Sequence, residues 1–494
     1  MYYPSKDEAH QLAKQGNLIP IYRDIPADLE TPVSAYLKVA IEGPSFLLES
    51  VEGGNQFGRY SFIGTDPYKI LKTGPNEESG SVDPLVPIQE ELGKYQLVTI
   101  PGLPRFVGGA IGYLSYEVVR YFENLPSPDP DPVDLPESIF LFSDTLVVFD
   151  HLKHTIKVIS HARIDSDGVD SAYEKATTRI DKIVKRLEEP LDPKHLQKPN
   201  PGAEIGPVTS NRSQQEHEDA VSKAREYIAE GECIQIVVSQ RFSKKTTASP
   251  FDIYRSFRAL NPSPYMYHLD LEDFHIVGTS PELLVRVEDG TIESRPIAGT
   301  IRRGETDEED TELAKQLLSD EKEKAEHIML VDLARNDVGR ISTPGSVKVT
   351  QLMEIEKYSH VQHIVSHVTG ELLPELTAYD AIRSCFPHGT VSGAPKIRAM
   401  ELIAELEPHQ RGPYSGAVGY FGFDGNMQTA IAIRTIVMKD SIAHVQAGGG
   451  IVYDSVPEVE HNETVIKAQG ALKAIENAEE RAAALLEHEK RRHQ

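Results

Sequence analysis

Over the first 189 residues, apolar positions come in short dense runs rather than long helical stripes. Phe46–Glu49, Tyr60–Ile63, Phe106–Ala110 and Ile139–Phe142 each have the length and composition of a strand. Leu146–Phe149 and Thr155–Ile159 flank a DHLKH turn and predict a hairpin. Gly108, Gly109 and Gly112 permit close backbone approach nearby. Helical spacing takes over at Ile180, Ile183, Val184 and Leu187, which share one face. Residues 190–208 then carry Pro190, Pro193, Pro199, Pro201 and Pro207. Such density stops helix and central strand alike, and predicts a linker or a surface crossing.

Beyond that stretch the pattern mixes both periods. Ser213 and Glu216 form a capping box for a helix ending near Gly231. CIQIVVSQRF alternates as a strand, with Gln235, Val237 and Ser239 on one face. Further strands are predicted at Phe274–Gly278, Leu283–Glu288, Ala417–Phe423, Ala430–Val437 and Ala443–Ala447. Helices are predicted at Asp310–Asp337, Ala378–Ser384, Pro395–Leu406 and Val456–Ala474. Residues 476–494, rich in Glu, Arg and Ala, read as an exposed helical extension. Strands and helices intersperse without regular βαβ alternation. The expected fold class is α+β, with large antiparallel sheets flanked by helices.

The helix around EKAEHIMLVDLARNDVGR (323–340) sets a chemical question. Asp320 and Glu323 read as its capping box, and its apolar residues run nearly all round, as in a buried helix. Yet Glu326, Asp332, Arg335 and Asp337 sit in or beside that run. Buried charge needs a partner, a hydrogen bond or a metal. Asp332, Arg335 and Asp337 fit a buried ion network as well as any function, whereas Glu326, at the border, points to a metal. A second acid cluster lies in SVPEVEHNETVIKAQG. Ser455, Pro457 and Glu458 start a helix there, on which Glu460, Glu463 and Lys467 share a face. Gly448, Gly449 and Gly450 come just before it, as a tight turn or as backbone N–H groups laid open to an anion. Glu326 and Glu463 together offer a hard cation two oxygens, a set that suits Mg²⁺. No Cys/His cluster has zinc spacing, and GTVSGAPK (389–396) lacks the spacing of a nucleotide-binding P-loop.

Composition narrows the classes. The 494 residues allow a large core, and a net charge of -25 makes nucleic acid and anionic membranes poor partners. Cys233 and Cys385 are the only cysteines, which excludes a disulfide scaffold and suits a reducing compartment. No apolar run approaches the roughly 20 residues of a membrane span, and the start lacks signal-peptide character. A cytoplasmic protein is expected.

RPIAGT (295–300), EHIMLVDLARND (326–337), GTVSGAPK (389–396), IAIRT (431–435), QAGGGIVYDSVPEVEHNET (446–464) and GECIQIVVSQR (231–241) together resemble the chorismate-utilising enzymes. Within that family they are most similar to the large subunits of anthranilate synthase. LLES (47–50) and RYSFIG (59–64) extend the likeness more loosely into the first half. The resemblance implies a tryptophan-binding regulatory region over 1–189 and a chorismate-binding catalytic domain over 209–475. It implies Mg²⁺ on Glu326 and Glu463, with Glu323 and Glu460 beside it. Gly299, Thr300, Tyr420, Arg434, Gly448, Gly449, Gly450 and Lys467 would hold chorismate. Glu282 would be the general acid that protonates the departing C4 hydroxyl, with His363 and Thr390 beside the ring. Ser50, Pro264, Tyr265 and Met266 would bind tryptophan as feedback inhibitor.

Two positions separate the branches of this family. Relatives that add water carry a lysine base where this chain has Gln235, and an amide cannot accept that proton. Para-aminating relatives often carry a lysine where this chain has Ala298. Ammonia as nucleophile and anthranilate as product are therefore expected, in the first step of tryptophan biosynthesis. The complete absence of tryptophan from the chain agrees with that reading. Aminodeoxychorismate synthase component I and a non-catalytic tryptophan-binding regulator stand as alternatives. Neither cysteine lies on a glycine-flanked nucleophile turn, so ammonia is expected from a separate glutamine amidotransferase subunit, in a heterotetramer of two large and two small chains. His388, where relatives usually carry a small residue, and Ile301 depart from the family pattern.

Overall fold

The computed structural model describes residues 1–50, 58–192, 204–357 and 361–492, with side chains of the last helix described to residue 484. Residues 193–203, the middle of the proline-rich stretch, lie outside the described residues. Two antiparallel sheets carry the fold, as the patterning predicts. One runs Leu18–Pro26, Thr155–Arg163, Thr145–Asp150, Tyr60–Gly64, Ser45–Glu49, Tyr265–Asp270, Phe274–Ser280, Thr435–Lys439, Ile442–Ile451, Gln235–Lys245 and Gly393–Ala394. The other runs Ile297–Arg302, Val361–Glu371, Thr291–Ser294, Leu283–Glu288, Met427–Ile431, Ala417–Gly422, Gly109–Leu114, Ser138–Ser143 and Lys69–Thr73. Both sheets therefore take strands from either side of the proline-rich stretch.

Period-two alternation explains the dense apolar runs. Phe46, Leu146, Val148, Ile111, Tyr113, Ile139 and Leu141 meet in one core between the sheets. Their neighbours Leu47 and Val147 face a second core under the helices Pro32–Val39, Gly168–Glu188 and Pro250–Leu260. Ala110, Phe140 and Phe142 face a third core under the helices Leu85–Leu92, Glu321–Gly339 and Ala378–Cys385. Strands buried on both faces lose the polar-out alternation of a surface sheet. The predicted hairpin is present, with Thr145–Asp150 paired to Thr155–Arg163.

The structure departs from expectation in five places. The strand expected at Phe106–Ala110 begins at Gly109, because the chain first passes against its neighbour; a Cβ on Gly109 would fall 2.0 Å from the Phe421 carbonyl oxygen. The helix expected over Asp310–Asp337 is two, Asp307–Ser319 and Glu321–Gly339, parted by extended Asp320, whose carboxylate caps the N–H groups of Lys322 and Glu323. The second of these is buried on one face only. Leu330, Val331, Ala334 and Val338 point inward, while Ile328 is 48% exposed. Asp332 and Arg335 form an exposed ion pair, not a buried network; Asp337 alone is buried, 2.6 Å from Lys396. Ala430–Val437 is split between sheets, Met427–Ile431 in one and Thr435–Lys439 in the other, and Arg434 at φ +49 makes the crossing. Finally, the segment from residue 476 is no exposed extension through residue 482. The helix Pro457–Arg492 packs an alanine stripe inward, with Ala474, Ala478 and Ala482 buried, and Glu479 pairs with Lys244 at 2.6 Å.

Candidate active site

Glu282 stands just before the strand Leu283–Glu288 and is 4% exposed. Its carboxylate accepts the Ile297 N–H at 3.4 Å and has His388 Nδ1 3.5 Å away. Burial pushes its pKa up to about 8, against the pull of the Ile297 N–H and of a Thr390 hydroxyl that donates to the carboxylate. A carboxyl in this setting keeps its proton at neutral pH and can give it away, as a general acid must. The expected partners Glu282 and Thr390 are thus brought together, with His388, the departure from the family pattern, as a third member.

Next to them, the strand Ile297–Arg302 bulges between Ala298 and Thr300, where Gly299 takes φ +73. The bulge turns Thr300 toward His363 on the neighbouring strand. His363 Nδ1 lies 3.0 Å from both the Gly299 carbonyl oxygen and Thr300 Oγ1. Donation to that carbonyl places the ring proton on Nδ1 and makes Nε2 the basic nitrogen. Burial lowers the His363 pKa and Arg434 lowers it further, so the ring is neutral and ready to accept a proton.

The four predicted carboxylates converge from two helices. A Cβ on Gly299 would fall 3.1 Å from Glu323 Oε2, and one on Gly449 would fall 3.1 Å from Glu460 Oε2 and 3.8 Å from Glu463 Oε1. Burial raises the pKa of Glu323, and Glu326 and Glu463 raise it further. Burial likewise raises Glu460, with Glu463 adding to it against a hydrogen bond from Ser455. Gln235 Nε2 donates to Glu326 Oε1 at 2.9 Å, and Lys467 reaches Glu463 at 2.6 Å and the Gly448 carbonyl oxygen at 3.0 Å. Among the described residues, no three His, Cys, Asp or Glu side chains close into a ready-made metal cluster.

Gly448, Gly449 and Gly450 are not a turn. They lie within the strand Ile442–Ile451, opposite Ser239, Val238 and Val237. Its other neighbour, Thr435–Lys439, pairs only as far as Val445 and leaves this end open. Glycine here is a matter of space: a Cβ would fall 2.8 Å from the Tyr414 hydroxyl at Gly448 and 2.5 Å from Gln235 Nε2 at Gly450. Arg434 joins the set through its bond to the Lys467 carbonyl oxygen at 2.6 Å.

Tyr420 lies apart from the other residues expected to hold substrate. Tyr420 stacks on Phe106, with centroids 4.0 Å apart, and lines a cavity of about 110 Å³ together with Ser50, Pro264, Tyr265 and Met266. Strand alternation directs it between the sheets, away from the glycine strand. Tyr414, six residues earlier, is the tyrosine that lies beside the glycine strand. Tyr414 is buried, its hydroxyl lies 2.8 Å from where a Cβ of Gly448 would stand, and it feels the charge of Arg411 first and of Arg434 after it. In the cavity that holds Tyr420, the buried Ser50 Oγ and Tyr265 Oη find no hydrogen-bond partner among the described residues.

These elements have close relatives. A family model described as chorismate binding enzyme matches residues 43–473. The chain belongs to this family. It is 47% identical to an anthranilate synthase component 1 from Acetivibrio thermocellus, over 97% of this chain and 100% of the relative. A crystal structure of anthranilate synthase component I from Streptococcus pneumoniae superposes with a TM-score of 0.75 at 38% identity, covering 90% of this chain and 98% of that one. A menaquinone-specific isochorismate synthase from Escherichia coli shares the fold at a TM-score of 0.71 and 18% identity, covering 95% of this chain and 98% of its own. The chain is a chorismate-utilising enzyme of the anthranilate synthase component 1 type, at work in tryptophan biosynthesis. No helix among the described residues is long and apolar enough to cross a membrane.

Tyr414 escapes sequence reasoning, and so do the settings of His388 and Gln235. Tyr414 and Tyr420 both lie in GPYSGAVGYF, and no spacing rule separates them. His388 stood out only as a departure from pattern. Gln235 was read as a missing base, and nothing in the sequence tied its amide to Glu326.

Proposed function

We propose that this chain joins chorismate to ammonia and releases anthranilate and pyruvate, with Glu282 as the acid. The observation that carries this reading is the buried Glu282 carboxyl, held near Thr390 and Ile297 with a pKa of about 8. Glu282 would protonate the C4 hydroxyl as it leaves. His363, neutral and with Nε2 basic, would take the ring proton as the ring becomes aromatic. Arg434, Lys467 and Tyr414 would hold the carboxylates of the dianion, beside strand glycines that leave it room. Gln235 offers no base for water, which supports ammonia as the nucleophile.

Glu326 and Glu463 would hold Mg²⁺, with Glu323 and Glu460 beside it. The fit rests on four acids gathered from two helices, where burial, and after it the neighbouring acids, raises Glu323 and Glu460. Mg²⁺ takes one or two protein carboxylates and completes its shell with water and substrate, so no three-ligand cage is needed. When bound, it supplies positive charge to a substrate carboxylate. Ammonia would come from a separate glutaminase subunit, since burial pushes the Cys233 thiol up to about 11 and the Cys385 thiol further still, leaving no reactive thiolate. Tryptophan would bind beside Ser50 and Pro264–Met266, where two buried hydroxyls have no hydrogen-bond partner among the described residues.

Product identification tests the reading. The purified chain is incubated with chorismate, Mg²⁺ and high ammonium at alkaline pH, and the aromatic products are resolved by mass. Anthranilate with pyruvate is expected. Aminodeoxychorismate accumulating without pyruvate would assign the chain to the para-aminating branch.

A further inference from the structure

His388 is 3% exposed and opens the short turn Gly389–Val391. Its Nδ1 lies 2.8 Å from the Thr390 hydroxyl oxygen and 3.5 Å from Glu282 Oε1. The backbone fixes its tautomer. The Thr390 N–H points at the same Nδ1 at 3.4 Å, and an N–H can only donate, so Nδ1 is an acceptor. Nε2 then carries the ring proton and faces Ser294 Oγ at 3.4 Å. The Thr390 hydroxyl has a single proton, and at 2.8 Å that proton goes to Nδ1. As a donor to Glu282, Thr390 would lower the carboxyl's pKa; with its one proton given to Nδ1, it has only lone pairs to offer Glu282. A lone pair facing a carboxyl favours the protonated acid, whose O–H can donate to it, and disfavours the carboxylate.

We propose that His388 is a positioning residue acting through Thr390: by taking the hydroxyl proton of Thr390, it holds Glu282 in its acid form. The proposal deepens the assignment of Glu282 as the acid and rests on it. His388 does not itself supply a proton, because burial, with the charge of Lys396, pushes its pKa down to about 3. The charged groups around the trio are themselves paired: Lys396 with Asp337 at 2.6 Å, and Arg295, next to Ser294, with Glu356. Without His388, the Thr390 hydroxyl would turn its proton onto Glu282 and favour the carboxylate instead.

The test reads the Glu282 carboxyl directly, as the infrared band of a protonated acid that disappears in Glu282→Gln. The full chain is titrated from neutral to alkaline pH without substrate. His388→Ala is expected to move the midpoint down by about one pH unit, the size of one hydrogen bond to a carboxyl. His388→Asn, whose Oδ1 stands in for Nδ1 as acceptor, is expected to restore most of the shift. Thr390→Val supplies a second, sign-specific reading if His388→Ala does not fold. It lowers the midpoint if the lone pairs of Thr390 face Glu282, and raises it if Thr390 donates to the carboxylate. An unmoved midpoint in folded His388→Ala, or a raised one in Thr390→Val, overturns the proposal. The pH profile of kcat, taken at constant free ammonia, reports on the acid role separately. A band that shifts while that profile stays fixed supports His388 and overturns Glu282 as the acid.

Discussion

Replacing Glu282 by glutamine should make the enzyme nearly inactive and, above weakly acidic pH, more stable. The folded carboxyl ionises only near pH 8, whereas in the unfolded chain it ionises near its ordinary 4.5. Between those values the folded state holds one proton more than the unfolded state, so stability falls as pH rises. At 1.36 kcal/mol per pKa unit, the penalty is about 3 kcal/mol near pH 7 and about 1 kcal/mol near pH 5. Glutamine keeps the shape and cannot ionise, so the variant escapes the penalty. Calorimetric melts of both proteins across this range should show its advantage growing by about 2 kcal/mol from pH 5 to pH 7, while turnover drops by about 10²–10⁴-fold. A stability difference that stays flat with pH would mean that Glu282 is ionised in the folded site, and the acid assignment would fall with it.

Four further outcomes are expected. Tyr414→Phe should raise the KM for chorismate about tenfold, the worth of one hydrogen bond to a charged group, whereas Tyr420→Phe should leave KM alone and weaken inhibition by tryptophan; steady-state kinetics decides, and the reverse pattern would restore Tyr420 to the substrate. Tryptophan should raise the melting temperature of the wild type and less so that of Ser50→Ala; equal shifts would exclude Ser50 from the pocket. In metal-free buffer Glu326→Gln should melt slightly higher than wild type, since one of several like charges is gone, and should lose both turnover and the stabilisation that MgCl₂ gives the wild type. Arg411→Met should cost about 3–5 kcal/mol in denaturant melts. It leaves buried Glu407 without the guanidinium 2.7 Å away, and an unchanged midpoint would show that water enters to replace it.

Local patterns carried much of the fold. The Ser213 capping box, the hairpin at residue 145 and the helix face of Ile180, Ile183, Val184 and Leu187 all depend on residues a few positions apart, and they stand as expected. Segments such as RPIAGT and EHIMLVDLARND were specific enough to lead to the family. Carboxylate spacing also placed Glu460, Glu463 and Lys467 on one face, where Lys467 does pair with Glu463. What depended on distant partners could not be read. Alternation says that successive side chains point opposite ways, not which of two sheets a strand joins. Hence the crossing at Arg434, and with it the choice between Tyr414 and Tyr420, went unseen. The inward stripe of the last helix is mostly alanine, which has little patterning signal, and only its tertiary neighbours, the strand Ile442–Ile451 and the helix Pro250–Leu260 among them, show why it is buried. The acid property of Glu282 was likewise a tertiary matter. A glutamate in TSPELL becomes an acid at neutral pH only when Ile297, Thr390 and His388, from remote parts of the chain, close around it and exclude water.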